Sequence, residues 1–508
     1  DPASLKLFSY LAGNGELGAV LLIGAFRENE LSEKHPLKDL GEAVRLSLKP
    51  WKREHVTQFL AEAFAVSGEE VEELAALLFR KTAGNPFFLT QLLKLAYTEG
   101  LIYFDPEAVR WQWQLEAIQQ RRPESDVLLL FLYKLQRLPE ETLSMLKWAA
   151  CIGSRFSLAM LAAVSGKSGE ETAFLLQPAQ DDGLVLETED QVEFLHDWVQ
   201  HALYSLLSEA ERKEKHLAIG RWLLAQSTGD KLGELVLPMM DHFNRSLTLI
   251  EGPEERIKLA EYNLLAGRKA KTAAAYASAL SYFRSGTSLL PPDAWTRYYS
   301  LSYDLHLERA QAELLTGHVA EAEQLFDLVL AKTKTELERA QVASLQIILY
   351  GGIGEYAKAV RTGIEALGRL GIKVPFKPTK KDYAKELALF LWHMRRRKTA
   401  ELVALPEVTD PRQRVISELL ARLCSVTMAS YPDLHGLVIL KTGNYAARHG
   451  HTAMSSVGYL GYSITAGIIL GNYPLGEELC RVAIALADKY GNSASSSIIY
   501  FVAGGLIS

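Results

Sequence analysis

The spacing of hydrophobic residues divides the chain into a first part of mixed periodicity and a long helical remainder. Residues 18–26 form an apolar run bounded by glycine, after a helical pattern over residues 1–11. Such a run is typical of a parallel strand buried on both faces, and its glycines disfavour the alternative, a hydrophobic helix. We therefore expect residues 1–48 to be the last piece of an α/β sheet.

From residue 49 the period becomes helical and predicts three short helices. The first has an apolar face made by Val56, Phe59, Leu60 and Phe64. Ser67 and Glu70 have the spacing of a capping box, which begins the second helix. Gly84 ends that helix, and Asn85 and Pro86 suit the cap and first turn of the third.

Two strand pairs interrupt the helices. Residues 101–113 alternate between aromatic and polar positions and predict a β-hairpin, which completes a helical lid over residues 49–122. Residues 183–187 and 191–195 are separated by an acidic turn and have the pattern of the wing of a winged helix. We assign this second domain to residues 123–210.

Residues 211–508 are almost entirely helical and contain a repeat. The string Gly317-His-Val-Ala-Glu-Ala322 recurs as Gly354-Glu-Tyr-Ala-Lys-Ala359, 37 residues later, which is close to the tetratricopeptide period. Looser copies contain Tyr276, Ala279 and Phe283, and Gly471, Gly476, Cys480 and Ala483. The glycine permits the turn between helices, and the small residue five positions later permits close helix crossing. The pattern favours a helical solenoid over a non-repeating bundle.

Composition narrows the choice of partners. The 508 residues are 48% hydrophobic and 23% charged, which excludes a disordered chain, and 55 basic against 61 acidic side chains give a net charge of -6. No global field attracts the chain to nucleic acid or to an anionic membrane. No apolar stretch reaches the roughly 20 residues of a membrane span, so we expect no membrane insertion. The three widely spaced cysteines, Cys151, Cys424 and Cys480, fit a reducing cytoplasm.

Both ends of the sequence look cut from a longer protein. Asp1 is not an initiator methionine, and Ser508 falls inside an apolar helical pattern. We expect the chain to be part of a longer protein.

Four strings in a fixed order carry a family resemblance. They are Leu22-Ile-Gly-Ala-Phe-Arg-Glu-Asn-Glu30, Lys81-Thr-Ala-Gly-Asn-Pro-Phe-Phe-Leu89, Ala149-Ala-Cys-Ile-Gly153 and Phe194-Leu-His-Asp-Trp-Val-Gln-His-Ala-Leu-Tyr204. The chain resembles the AAA/ORC-like predicted-ATPase region, of the STAND class, in large bacterial signalling proteins. These join a serine/threonine kinase, the ATPase, helical repeats and often GAF and histidine-kinase domains. The resemblance covers nearly the whole length and implies a mainly α fold: a C-terminal remnant of an α/β P-loop ATPase domain, a helical lid, a winged helix and a TPR-like α-solenoid.

The resemblance also implies that the phosphate-binding elements precede this sequence. No G-x-x-x-x-G-K-[ST] motif occurs in it, so the backbone cradle and lysine that hold a triphosphate with Mg²⁺ are absent. We expect the fragment alone to bind no cofactor and to hydrolyse no ATP. The intact parent would bind ATP or ADP with magnesium.

Two cofactor-binding elements follow from the resemblance in the first 86 residues. Arg27, after the predicted strand, would be a sensor-1-like arginine that reads a γ-phosphate; otherwise it is a surface residue. The turn Gly84-Asn85-Pro86 would pack beside the nucleotide base, since a helix amino terminus offers unpaired N–H groups and proline a flat apolar surface. The alternative is a well-capped helix, and the two are compatible.

His196 and Asp197 form the third candidate element. Related STAND ATPases place a His-Asp pair of the winged helix against the diphosphate, and the resemblance implies the same here. The alternative is an ordinary capping aspartate beside an interior histidine. Trp198 and His201 stand where the family more often has arginine and glutamine, so the local hydrogen bonding differs.

Other chemistry finds little support. The expected recognition helix of the winged domain, from residue 169 to Asp181 and Asp182, is acidic where phosphate contacts need cations, so we expect no DNA binding. Residues 373–398 hold nine basic side chains against Asp382 and Glu386, which favours a solvated face over a dock for an acidic partner. No metal-ligand spacing and no nucleophile motif occur, and we assign no catalytic residue.

These inferences predict one module of an ATP-dependent signalling switch. Nucleotide would hold the winged helix closed, and protein or peptide partners on the repeats would release it toward neighbouring kinase or ATPase domains of the parent. Two rivals remain. One is an interaction scaffold with a vestigial nucleotide site, and the other a STAND transcription activator of the maltose-regulon type.

Overall fold

The computed structural model describes residues 46–120, 137–188, 191–227 and 231–490, together with a few single positions outside these ranges. The described chain is mainly helical, as the sequence predicts. Its contacts divide it into two compact units, residues 1–250 and 251–508. The domain boundaries given above are finer than this division and stay predictions.

The strand expected over residues 18–26 is not formed at the positions that are described. Leu21, Ile23 and Gly24 have no regular secondary structure, and the side chains of Leu21 and Ile23 are exposed. A parallel strand depends on hydrogen bonds to neighbouring strands. The described residues provide no strand beside this segment. Arg27 lies outside the described residues.

The first unit begins with three helices and a hairpin. Its elements are α1 (Arg53–Phe64), α2 (Gly68–Thr82), α3 (Pro86–Thr98), β1 (Ile102–Asp105), β2 (Arg110–Trp113) and α4 (Leu115–Gln120). The predicted capping box is confirmed: the Glu70 amide donates to Ser67 Oγ at 3.4 Å, and the Ser67 amide donates to Glu70 Oε1 at 3.1 Å. The predicted hairpin is confirmed as well, with β1 and β2 antiparallel. Together these elements enclose one apolar cluster, the lid core.

A three-stranded sheet follows in the same unit. The elements are α5 (Glu140–Ile152), β3 (Arg155–Phe156), α6 (Leu158–Ser165), α7 (Gly169–Asp181), β4 (Val185–Glu187), β5 (Val192–Phe194) and α8 (Asp197–Ser205). The predicted pair of strands is confirmed, since β4 and β5 are antiparallel. The strand β3, which pairs with the other side of β5, has only two residues, too few to produce an alternating pattern in the sequence. Helices and sheet enclose a second apolar cluster, the sheet core.

The first unit ends with two longer helices, α9 (Glu209–Gln226) and α10 (Lys231–Asn244). Helix α9 packs on α10 and on α5 and α6. These two helices therefore belong to the same compact unit as the sheet core, although their sequence pattern groups them with the repeats.

The described residues of the second unit are mainly helical. The helices are α11 (Pro253–Thr272), α12 (Tyr276–Leu289), α13 (Ala294–Arg297), α14 (Tyr299–Leu315), α15 (Val319–Lys332), α16 (Glu336–Gly352), α17 (Tyr356–Arg369), α18 (Lys380–Arg396), α19 (Thr399–Val403), α20 (Pro411–Ser430), α21 (Pro432–His449), α22 (Ser455–Ile464) and α23 (Tyr473–Tyr490). One apolar cluster of the described residues lies among α14–α17, α20 and α21, and another lies among α18, α19 and α21–α23.

The predicted repeat corresponds to a recurring helical hairpin. In each copy a residue with positive φ precedes the second helix by two positions: Ala274 at 57°, Gly317 at 89°, Gly354 at 83° and Gly471 at 68°. Five positions later comes a buried small residue, namely Ala279, Ala322, Ala359 or Gly476. A larger side chain at such a crossing would hold the helices apart. At Gly476, an added Cβ would lie 3.1 Å from the backbone of Gly467.

Neighbouring hairpins pack in sequence order, which supports the solenoid over a bundle. Helix α12 packs on α14, α15 on α16, α17 on α20, and α21 on α22. Each hairpin buries its apolar face on the next one, so the stack is the stable unit. Helices α18 and α19 depart from this order: α17 contacts α20 directly, while α18 lies against α21 and α19 against α23.

The three cysteines are free and buried. Burial raises the pKa of the Cys151 thiol to about 11 and that of Cys424 to about 12, and it also raises the pKa of Cys480. Each is therefore a neutral, small apolar group at physiological pH, as their apolar surroundings in the sequence suggest.

Candidate functional site

The predicted turn at residues 84–86 is a capped helix start. Asn85 Oδ1 accepts a hydrogen bond from the Phe88 amide at 3.4 Å, and Pro86 is the first residue of α3. Proline is suited to this position because its missing N–H would have no partner within the helix. The capping interpretation is confirmed, and contact with a nucleotide base stays a prediction.

Gly84 fixes this turn against the chain before α1. Its φ is +73°, and its carbonyl oxygen accepts a hydrogen bond from the Trp51 amide at 2.7 Å. A Cβ at this position would lie 2.0 Å from the Trp51 carbonyl oxygen. The Trp51 ring in turn packs on Phe59 of α1, with ring centroids 5.5 Å apart. The start of α3 is therefore held in place by the lid core.

His196 and Asp197 lie where β5 passes into α8. His196 is the N-cap residue, with extended torsions, and its side chain makes no capping hydrogen bond. Asp197, which the sequence suggests as the cap, is instead the first helical residue and is exposed. Its carboxylate adds a negative charge at the positive end of the helix dipole, which is favourable without a capping bond.

Helix α8 is held against the sheet core along one side. Its residues Val199, Ala202 and Leu203 are buried, and Gln200 Nε2 donates to the Ala150 carbonyl at 3.2 Å. His201 lies on the exposed side. The His196-Asp197 start of α8 is therefore fixed by packing behind it.

The structure places the sequence candidates in two groups. Residues 84–86 belong to the lid core, and residues 196–197 follow a strand of the sheet core. An ion pair between Arg137 and Glu99, at 4.0 Å, links the segment before α5 with the residue that follows α3. Their convergence on one nucleotide, together with Arg27, stays a prediction.

A polar group that the sequence did not reveal joins α8, α9 and α10. The Tyr204 hydroxyl lies 3.1 Å from Nε2 of His216, and Nδ1 of His216 lies 2.8 Å from Nδ1 of His242. The guanidinium of Arg212 lies over the Tyr204 ring, 4.6 Å from its centroid. The two histidines are 26 residues apart, on helices whose relative placement no local pattern gives.

Both imidazoles of this group are held neutral. Burial, with the positive charges of Arg245 and Arg212, lowers the pKa of His216 to about 4. Burial, with the charges of His216 and Arg245, lowers the pKa of His242 to about 3. The Nδ1–Nδ1 hydrogen bond needs one protonated and one bare nitrogen, so two charged rings could not form it.

This pair predicts that the first unit loses stability in mild acid. Both folded-state pKa values lie below the unfolded value of about 6.5, so the unfolded chain binds more protons between these limits. The histidine contribution is fully present above pH 6.5 and falls as the pH drops toward 4. The slope is about 1.4 kcal/mol per pH unit for each proton taken up only on unfolding.

Urea unfolding of the first unit at several pH values measures this slope. His242→Gln should reduce the number of protons taken up on unfolding by about one and so flatten the slope, because one buried imidazole is then absent. His201→Gln, on the exposed side of α8, is the matched control and should leave it unchanged. An identical slope in the His242→Gln chain would contradict the assignment.

Among the described residues, none of the helices combines the length and the hydrophobicity that a bilayer-spanning segment requires. A search of the same residues finds no group of three histidine, cysteine or carboxylate side chains placed to hold a metal ion.

Sequence comparison connects the chain with signal-transduction histidine kinases. It is 23% identical over 558 aligned positions to hybrid signal transduction histidine kinase G of Dictyostelium discoideum, an alignment covering 94% of the chain and 16% of that protein. It is 20% identical over 253 positions to peroxide stress-activated histidine kinase mak3 of Schizosaccharomyces pombe, covering 48% of the chain and 11% of that protein. The chain thus spans a small part of these relatives, and both are eukaryotic. The expected bacterial origin stays a prediction.

No protein-family model matches the sequence. Among solved structures, the chain is similar to a STAND protein with a tetratricopeptide repeat sensor from Pyrococcus horikoshii, at 15% identity over 92% of this chain and 64% of the other, with a TM-score of 0.37. At that TM-score the likeness does not establish a shared fold.

Proposed function

We propose that this chain is the regulatory and sensing part of a nucleotide-controlled signalling protein of the STAND class, and that this larger protein is a kinase. Residues 123–210 act as its winged helix, and the helical hairpins of the second unit act as its sensor. The chain itself carries out no hydrolysis. Nucleotide with magnesium binds in the intact parent, where the preceding ATPase elements complete the pocket.

One observation carries the proposal. The sequence similarity to a histidine kinase of the hybrid type extends over 94% of the chain, across both compact units. Lid, sheet and hairpins occur in the order that the ATPase resemblance implies. A signalling role accounts for this continuous similarity better than an unrelated assembly of helices.

The two fixed turns suit the proposed nucleotide contacts. The start of α3 offers the flat ring of Pro86, on which a base can pack. His196 precedes the positive end of α8, where an anionic diphosphate would also be favoured. Each turn is fixed by packing behind it, through Gly84 in the lid and Val199 in the sheet core. Such fixed turns bind without a large ordering cost.

The nucleotide role of His196 is tested in the intact parent protein. His196→Ala should weaken ADP binding about 10- to 100-fold, the usual loss for a hydrogen bond to a charged group. It should also raise basal kinase output, because the closed state is no longer stabilised. Calorimetric titration with ADP gives the first quantity and a phosphotransfer assay the second.

His201→Ala on the exposed side of the same helix is the control and should bind ADP like the parent. Equal affinity of the parent and the His196→Ala variant would contradict the switch. It would favour the rival in which the chain is an interaction scaffold with a vestigial site.

A further inference from the structure

Helix α18 is an addition to the stack of hairpins. It lies in the segment between α17 and α20, yet those two helices contact each other directly and α18 packs on α21. A helix outside the packing order is not needed to continue the solenoid. Its outward face is therefore open to another role.

The inward face of α18 is fully engaged. Glu386, Phe390 and His393 are buried there. Glu386 Oε1 accepts from Lys441 Nζ at 2.5 Å, and the Phe390 ring meets the Tyr462 ring edge-on with centroids 4.6 Å apart. These contacts fix which side of the helix faces away from the protein.

The outward face combines cations with large apolar side chains. The exposed basic residues of the helix are Lys380, Lys381, Lys385, Arg395 and Arg396. Trp392 is 48% exposed and Leu391 is 46% exposed, and Leu389 lies beside them at 39%. The Arg396 guanidinium stacks over Trp392, 4.6 Å from the ring centroid. We call this surface the basic face of α18.

Acidic side chains of the same segment form no ion pair with the basic face. Asp382 accepts hydrogen bonds from the Thr379 amide and hydroxyl at 2.8 and 2.6 Å and places one negative charge near Lys385, and Glu386 points inward to Lys441. In the described part of the chain, none of the five cations of the basic face forms an ion pair. Several unpaired positive charges on one helix of a chain with net charge -6 indicate an anionic partner.

We propose that the basic face of α18 docks on the surface of an anionic lipid membrane. Cations attract the acidic headgroups, while the indole of Trp392 and its leucine neighbours enter the apolar boundary below them. The surface of a single helix is convex and forms no groove for an acidic peptide. A fluid headgroup layer needs no complementary shape. This binding is independent of the nucleotide role proposed above and places the module at a membrane without crossing it.

Vesicle flotation of the complete 508-residue chain tests the proposal. The chain should bind phosphatidylcholine vesicles that contain phosphatidylserine and should not bind vesicles of phosphatidylcholine alone. Lys385→Gln/Arg395→Gln should weaken binding about 30-fold, since each cation near an anionic surface contributes about fivefold. Trp392→Ala should weaken it about tenfold, and this loss should persist at salt concentrations that screen the charges.

Lys332→Gln/Arg361→Gln removes the same charge from exposed positions on α15 and α17 and should leave binding unchanged. Circular dichroism confirms that every variant is folded. Equal binding by the α18 double variant and this control would overturn the proposal. Failure to bind the acidic vesicles at all would also overturn it. The same holds if the chain captures polyglutamate or DNA in a Trp392-dependent manner but binds no vesicles.

Discussion

Lys441→Met is expected to destabilise the second unit by about 3–5 kcal/mol, the usual result of removing one partner of a buried ion pair. Glu386, 4% exposed, keeps its carboxylate oxygens against Lys441 Nζ and, at 2.8 Å, Asn444 Nδ2. The Tyr462 hydroxyl donates to Asn444 Oδ1 at 2.6 Å and continues the network. Methionine fills the space of the lysine stem, so the loss reports the uncompensated carboxylate and not a cavity.

Urea unfolding and hydrogen exchange of residues 380–396 measure this effect. The double variant Glu386→Gln/Lys441→Met should recover most of the lost stability, because no charge is then buried without a partner. Lys385→Met, on the basic face of the same helix, is the control and should change stability by less than about 0.5 kcal/mol. If Lys441→Met and Glu386→Gln/Lys441→Met are equally unstable, the ion pair does not hold α18 in place.

Gly84→Ala is expected to destabilise the lid by about 3 kcal/mol. An alanine at positive φ costs about 1–2 kcal/mol by itself. The new Cβ would also lie 2.0 Å from the Trp51 carbonyl oxygen, which no side-chain rotation relieves. The turn must open, with loss of the Trp51–Gly84 hydrogen bond worth about 1 kcal/mol.

Hydrogen exchange of the peptides covering α1 and α3 follows this opening, and protection should fall about hundredfold. Gly100→Ala is the matched control: its φ is +69°, but an added Cβ there has no atom within 4 Å. Gly100→Ala should lower the free energy of unfolding by only the backbone contribution of about 1–2 kcal/mol. Equal effects at the two glycines would show that the close approach at residue 84 is unimportant. In the parent protein, Pro86→Ala then tests the base contact without disturbing this turn.

Local patterns gave reliable predictions wherever neighbouring residues suffice. The Ser67–Glu70 capping box, the Asn85 cap and the β1–β2 hairpin each depend on residues a few positions apart, and the structure confirms them. The repeat was visible because each hairpin reuses one turn geometry. Even Ala274, which is not a glycine, takes the positive φ of the other copies.

Predictions that depend on contacts between residues far apart in the sequence were less accurate. A strand over residues 18–26 requires neighbouring strands, and the described positions there are exposed. The cap of α8 fell on His196 and not on Asp197, because the end of β5 and the packing of Val199 set where the helix begins. The solvated basic face predicted within residues 373–398 is exposed on α18, but which side of that helix is buried depends on its packing against α21.

The sequence by itself determined a mainly helical chain with the caps of α2 and α3, its two hairpins of strands and its repeated helical hairpins. These are consequences of hydrogen bonding and side-chain periodicity over about a dozen residues. Only the tertiary structure decided that His216 meets His242, that Lys441 pairs with Glu386 across 55 residues, and that the cations of α18 face outward together. Such contacts depend on how helices far apart in sequence pack, and a buried charge or imidazole takes its properties from whichever neighbour that packing provides.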